Sequence, residues 1–395
     1  MISVLFVDDE QPVLEKLKSR LRGMTDRWDM RFAAKAEEAL SLMASAPVDV
    51  IATDTLGGAD DGVQLLNAIR SRYPSVIRFL LVPAGAEQSA VGAMPVAHQI
   101  LNKNCDTAVL ERAVERISGL QNRRRHPIVA KILGMVNSLP SLPQLYWDLV
   151  RAIDDPRSGT AEVAAIIERD MAMTARLLQL ANASIFGAGR PVRGVKDAVE
   201  RVGLDPIRSA VLSMHFFRSM QGHEFPAGFS IDQLQAESWE AARLANEMVK
   251  DVEMRKCAVS ASVLKNIGRL ILATNAPGEY MRVANEAKES GRAEFSVEQS
   301  LLGCDSAEIG AQLLALWGLP VSLVEAVAYH HRPSISGERG FGAIGAVHVA
   351  SAMIAERRTD NQPQKDAEYD FQYLRAVGMD DKVDRWRKGD PIVPV

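Results

Sequence analysis

Along the first 120 residues, short continuous apolar runs alternate with segments of helical spacing. Ser3 to Val7, Val48 to Thr53, Val76 to Val82 and the short Ile100-Leu101 read as strands. Predominantly apolar runs of this length suit strands covered on both faces. Between them, Val13, Leu14, Leu17 and Leu21 recur at helical spacing, and so does the stretch from Val63 to Ile69. Asp106 stands as the N-cap of a helix predicted to reach about Leu120. Such alternation predicts βα units on a parallel sheet.

The run Arg123-Arg124-Arg125-His126-Pro127 ends this pattern, and the strand signal then vanishes. Val163, Ile166 and Ile167 share a helical face, and Asp170 can cap a helix carrying Leu177, Leu178 and Ala181. Ile231, Leu234, Ala241, Leu244 and Met248 repeat at helical spacing. Ile309 to Trp317 stops at Gly318, and Pro320 opens another helix. The prediction is α/β followed by all-α: residues 1–122, a linker at 123–132, a helical domain at 133–350, and a C-terminal extension at 351–395. The polar tail after Thr359 is expected to be weakly ordered or to pack on its own domain. The arginine run reads as a solvated linker.

A length of 395 residues allows two or three domains, and a net charge of -4 supplies no field to draw in nucleic acid or an anionic membrane. Cys105, Cys257 and Cys304 match no zinc spacing and suit a reducing compartment. The N-terminus has no basic region before an apolar core, and no run of about 18 apolar residues appears. The expectation is a cytoplasmic protein with no membrane or nucleic-acid partner.

The candidate chemistry sits at strand ends. Asp8 and Asp9 end the first strand, Asp54 ends the third, and Lys103 follows the last. In a doubly wound sheet these ends line one crevice. Carboxylates gathered there repel unless a cation separates them, and oxygen ligands suit Mg²⁺. An acceptor carboxylate, a metal and a fixed ammonium are what phosphoryl transfer needs.

Val7-Asp8-Asp9-Glu10, Thr53-Asp54, Asp61-Gly62 and Leu101-Asn102-Lys103 together make residues 1 to about 120 resemble the receiver domain of two-component response regulators. The resemblance implies a flavodoxin-like fold, Mg²⁺ held by Asp8, Asp9 and Asp54, phosphorylation of Asp54 by a cognate sensor histidine kinase, and contact of Lys103 with the phosphoryl group. There are departures. Val82 stands where receivers place Ser or Thr, Ile100 replaces the switch aromatic, Asn104 replaces the proline after the lysine, and Gly58 replaces the proline after the acceptor. Either the domain signals without the usual relay, or it is a degenerate receiver used as a docking surface.

The stretches Ile167-Glu168-Arg169-Asp170, Leu177 to Asn182, Ala198 to Gly203 and Ala311 to Pro320, with His330-His331 beyond them, make Pro127 to about Ser351 resemble the HDOD module, a relative of HD-type phosphohydrolases. Catalytic relatives hold metal through His and Asp ligands that activate water. By that resemblance the ligand positions are occupied here by Glu237, Lys265, Asn266, Ser306 and Ser351. No Gly-Tyr-Pro signature of the cyclic-dinucleotide phosphodiesterase branch is present. Adjacent histidines on a helix point about 100° apart, so His330 and His331 are expected to bond carbonyls at a helix end. The reading is a non-catalytic module with no metal and no catalytic residue. It would act on an unidentified output protein, with a cyclic-di-GMP enzyme or another regulator as the implied classes. The rival reading is a metal-dependent phosphodiesterase acting on a cyclic dinucleotide such as cyclic-di-GMP.

Overall fold

A computed structural model describes residues 1–55, 61–86, 91, 93, 96–121, 140–141, 143–155, 157–183, 186, 190–207, 218–219, 225–358 and 369–395. Gly58 and the predicted linker at 123–132 lie outside the described residues.

The first half runs β1 (Ile2–Val7), α1 (Gln11–Arg20), β2 (Trp28–Ala33), α2 (Ala36–Ser45), β3 (Val50–Thr53), α3 (Asp61–Arg72), β4 (Ile77–Val82), β5 (Gln99–Asn102) and α4 (Thr107–Gln121). The strands form a parallel sheet in the order β2-β1-β3-β4-β5. β1, β3 and β4 are buried end to end, which explains their mostly apolar sequence; the exception in β4, Arg78, is buried and donates to the Val76 and Val96 carbonyls. The sequence reading missed β2 and α2. β2 is an edge strand that buries only its ends, Trp28 and Ala33, and its polar Asp29 and Arg31 break the apolar run.

Register places the chemistry. Val7 pairs with Thr53, so Asp8 and Asp54 leave β1 and β3 side by side. Val82 of β4 pairs with Asn102, so Lys103 emerges from β5, two strands over from β3. The strand order reverses between β1 and β3, the position at which such sheets open a crevice. Gly62, at the start of α3, lets that helix approach closely: a Cβ there would stand 2.0 Å from the Asp54 carbonyl oxygen.

The second half begins with β6 (Pro140–Ser141), α5 (Pro143–Asp154), α6 (Thr160–Ile167), α7 (Met171–Asn182), α8 (Val195–Val202) and β7 (Arg218–Ser219). It continues with α9 (Ile231–Met248), α10 (Val252–Leu264), α11 (Ile267–Asn275), α12 (Pro277–Ser290), α13 (Glu294–Leu302), α14 (Ser306–Leu316), α15 (Val321–Ala328), α16 (Ala343–Arg358), α17 (Phe371–Ala376) and α18 (Asp380–Arg387). Asp170 caps α7 as expected, accepting from the Met173 N–H at 2.9 Å. The expected all-helical region also holds a parallel pairing of β6 with β7. Two residues per strand are too few to leave a period in the sequence.

The predicted 350/351 boundary falls inside α16. Beyond it, the described tail packs on the helical half. Tyr373, Leu374, Val383 and Trp386 are buried, and the Val395 N–H donates to the Met248 carbonyl. The segment 252–275 is long and apolar enough to cross a membrane, but most of it is buried inside the fold.

Candidate functional site

At the sheet crevice, Asp8 is 1% exposed and Asp54 5%, whereas Asp9 is exposed. Lys103 Nζ lies 2.8 Å from Asp54 Oδ2, 2.9 Å from Asp8 Oδ2 and 3.0 Å from Glu10 Oε1. Burial alone would lower the Lys103 ammonium, but hydrogen bonds to Asp54, Asp8 and Glu10 outweigh it and hold it above its ordinary value. Burial, more than any neighbour, raises the Asp8 carboxyl. The part played by Glu10 was not assigned from sequence, where it reads as one more helix-start acid.

Asp8, Asp9 and Asp54 each offer an oxygen within 4.8 Å of the others. Asp8 Oδ2 is buried without a well-aligned hydrogen bond, although Lys103 is close. A cluster of carboxylate oxygens with one ammonium among them is what a hard divalent cation neutralises, so these residues fit Mg²⁺. Val82 and Ile100 are both buried in the core of this half. Val82 therefore brings no hydroxyl to the crevice, and no aromatic ring stands at position 100.

In the helical half, a cavity of about 310 Å³ brings together Glu237, Lys265, Asn266, Ser306, Ser351, His330 and His331. These residues come from α9, the α10–α11 junction, α14, α16 and the turn after α15. α11 and α14 cross closely because residue 268 is glycine: a Cβ there would stand 1.8 Å from the Ser306 carbonyl oxygen. Asn266 donates to Ser238 Oγ, and Ser351 Oγ donates to the Val347 carbonyl. Among the described residues, the one cluster of three or more suitably spaced His, Cys, Asp or Glu ligands is the Asp8–Asp9–Asp54 group, and the cavity has none.

His330 Nδ1 lies 2.7 Å from the Val327 carbonyl, a helix-end bond of the expected kind. The two rings are not splayed, however. α15 stops at Ala328, and the His330 and His331 centroids sit 4.0 Å apart, with Phe295 stacked on His331. Burial, then the charge of Lys265, pushes His330 down to about 3. Sequence reasoning missed Glu298 and Arg269 in this cavity. Burial pushes Glu298 up to about 7, and it accepts from the Ser306 N–H at 2.6 Å. Neither residue departs from ordinary helix composition, so no sequence signal marks them.

The two halves touch along α4 and α14. Gln179 Nε2 on α7 donates to the His98 carbonyl, just ahead of β5, at 3.1 Å. Gln179 is itself held by Arg176 Nη1 at 2.9 Å, and the Arg176 guanidinium lies 3.9 Å over the Trp317 ring.

The family model described as response regulator receiver domain matches residues 4–115, and that described as HDOD domain matches residues 139–333. An uncharacterized protein of Treponema pallidum is 24% identical over 227 residues, covering 58% of this chain and 44% of its own length. The response regulator protein PilR of Pseudomonas aeruginosa is 29% identical over 151 residues, covering 38% of this chain and 34% of its own. The crystal structure of the MmoQ response regulator from Methylococcus capsulatus aligns with a TM-score of 0.50 at 25% identity, over 64% of this chain and 98% of that one. The chain thus spans less than half the length of these two sequence relatives.

Proposed function

The chain is a response regulator receiver domain followed by an HDOD domain, and from that premise we propose that Asp54 accepts a phosphoryl group from a cognate sensor histidine kinase, while the helical half acts on a partner by binding rather than by hydrolysis. The observation that carries this reading is the Lys103 ammonium held 2.8 Å from Asp54 and 2.9 Å from Asp8. In transfer, an Asp54 carboxylate oxygen attacks phosphorus, and the bond from phosphorus to the donor histidine nitrogen breaks. The electron pair of that bond leaves with the nitrogen. Mg²⁺, when held by Asp8, Asp9 and Asp54, supplies charge neutralisation at the phosphoryl oxygens. Lys103 exchanges a carboxylate partner for a phosphoryl oxygen.

With Val82 and Ile100 replacing the usual relay, the output route is assigned to β5. That strand joins Lys103 to His98, whose carbonyl receives Gln179 from the helical half. Phosphorylation can act through this contact only if two domain arrangements differ in it. The output partner belongs by resemblance among signalling proteins, with a cyclic-di-GMP enzyme or another regulator as the implied classes.

Binding rather than hydrolysis is supported by the donor set of the cavity. Of the five positions at which metal ligands are expected, only Glu237 carries a carboxylate, and Lys265 brings a cation. The test has two arms. Wild type should take label from acetyl phosphate and Asp54→Asn should take none, so label surviving the substitution overturns the acceptor. Metal analysis with a cyclic-di-GMP turnover assay should find neither metal in the helical half nor product. Stoichiometric transition metal together with turnover overturns the non-catalytic reading.

A further inference from the structure

The cavity of the helical half holds a buried cation that no anion neutralises. Lys265 is 8% exposed, and among the described residues it makes no hydrogen bond and no ion pair. The charge that bears on Lys265 is of its own sign, from Arg269, and Lys265 in turn acts on His330 and His331. The carboxylates lining the cavity are engaged elsewhere. Glu294 pairs with Arg269 at 2.5 Å, Glu298 accepts from the Ser306 N–H, and Glu237 accepts from Gln233. Arg269, the other cation lining the cavity, is already answered by Glu294, which leaves Lys265, among the described residues, as the cation there without a partner. A buried ammonium at a cavity wall without an acceptor is costly unless something supplies one.

We propose that this cavity is an anion receptor, taking a phosphate or phosphate monoester oxyanion against the Lys265 ammonium. A charge-assisted bond to a phosphoryl oxygen satisfies the ammonium. Burial, then Arg269, lowers Lys265 to about 8, which leaves it largely protonated near neutral pH. The volume of about 310 Å³ exceeds what a single oxyanion fills, so a group attached to the phosphate has room. The side chain that displaced a metal ligand thus does directly what the metal did, which is to attract a phosphoryl oxygen. The inference rests on the reading that this half holds no metal.

The test uses the full chain in EDTA, which silences Mg²⁺ at the acidic crevice, and titrates inorganic phosphate and AMP separately by calorimetry. Saturable one-site binding is expected, weakened at least about tenfold by Lys265→Met, as loss of a charge-assisted bond requires, and largely kept by Lys265→Arg. AMP binding tighter than phosphate identifies a monoester as the occupant. Equal affinities identify the free oxyanion, and either outcome supports the receptor. Absence of saturation with both probes, or unchanged binding by Lys265→Met, overturns it. Should Lys265→Met fail to fold, the Lys265 ammonium resonance of wild type must shift on addition of phosphate, and a fixed resonance overturns the proposal. Metal content of the purified protein, measured before EDTA is added, separates the two readings. Bound metal in the helical half defeats both, whereas a metal-free protein indifferent to phosphate defeats this one alone.

Discussion

In the α/β half one ammonium serves three carboxylates, and in the helical half a more deeply buried ammonium pairs with none among the described residues. Lys103 is raised by its partners, and Lys265 is lowered by its burial. The same side chain therefore has opposite standing in the two halves. At the crevice the lysine holds together a cluster that would otherwise repel itself. In the cavity it is an unmet electrostatic demand, tolerable where a ligand meets it.

Substitution of the two lysines breaks this comparison most sharply. Lys103→Ala leaves Asp8 and Asp54 facing each other with no cation. The expected loss is about 2–4 kcal/mol by denaturant titration in EDTA, partly restored by Mg²⁺. A variant as stable as wild type in EDTA would show that the ion cluster adds nothing. Lys265→Met should move the other way, gaining about 1–3 kcal/mol in phosphate-free buffer because it removes an uncompensated buried charge. A loss there would mean that Lys265 already has a partner.

A smaller effect appears against pH. His330 titrates near 3 in the folded protein, against its ordinary value of 6.5. Below 6.5 the unfolded chain takes a proton that the folded chain refuses, so this residue subtracts stability as pH falls from 6.5 towards 3. Wild type should lose about 1.4 kcal/mol per pH unit in that window relative to His330→Gln. Glu298, held up to about 7, works in the opposite sense as pH falls from 7 to 4.5, so the difference between the two proteins carries the information, not either curve alone. Parallel curves for the two proteins would contradict a neutral buried His330.

The smallest effect tests whether the halves communicate. Gln179→Ala removes the hydrogen bond to the His98 carbonyl and should cost about 1 kcal/mol. It should also shrink the difference in stability between phosphorylated and unphosphorylated protein. If that difference is untouched, β5 is not the output route.

How far the sequence carried these arguments varies by element. β1, β3 and β4 are legible because full burial makes most of their positions apolar, and acids follow at the ends of β1 and β3. β2 was not, because an edge strand with half-exposed faces admits Asp29 and Arg31. The cavity positions from Glu237 to Ser351 came from resemblance, since nothing in helical periodicity says that five distant residues meet. Glu298, His348 and the Gln179–His98 contact had no local signal. His348 Nε2 accepts from the Asp370 N–H while its Nδ1 lies 2.8 Å from the His330 carbonyl, a pairing across sequence gaps that composition cannot reveal.

The most direct test of the account is to treat wild-type protein with acetyl phosphate and map the modified peptide, once with Mg²⁺ and once in EDTA. The account predicts a single phosphoryl group on Asp54, formed with Mg²⁺ and absent in EDTA. Label on another residue, or equal label without the metal, would contradict it.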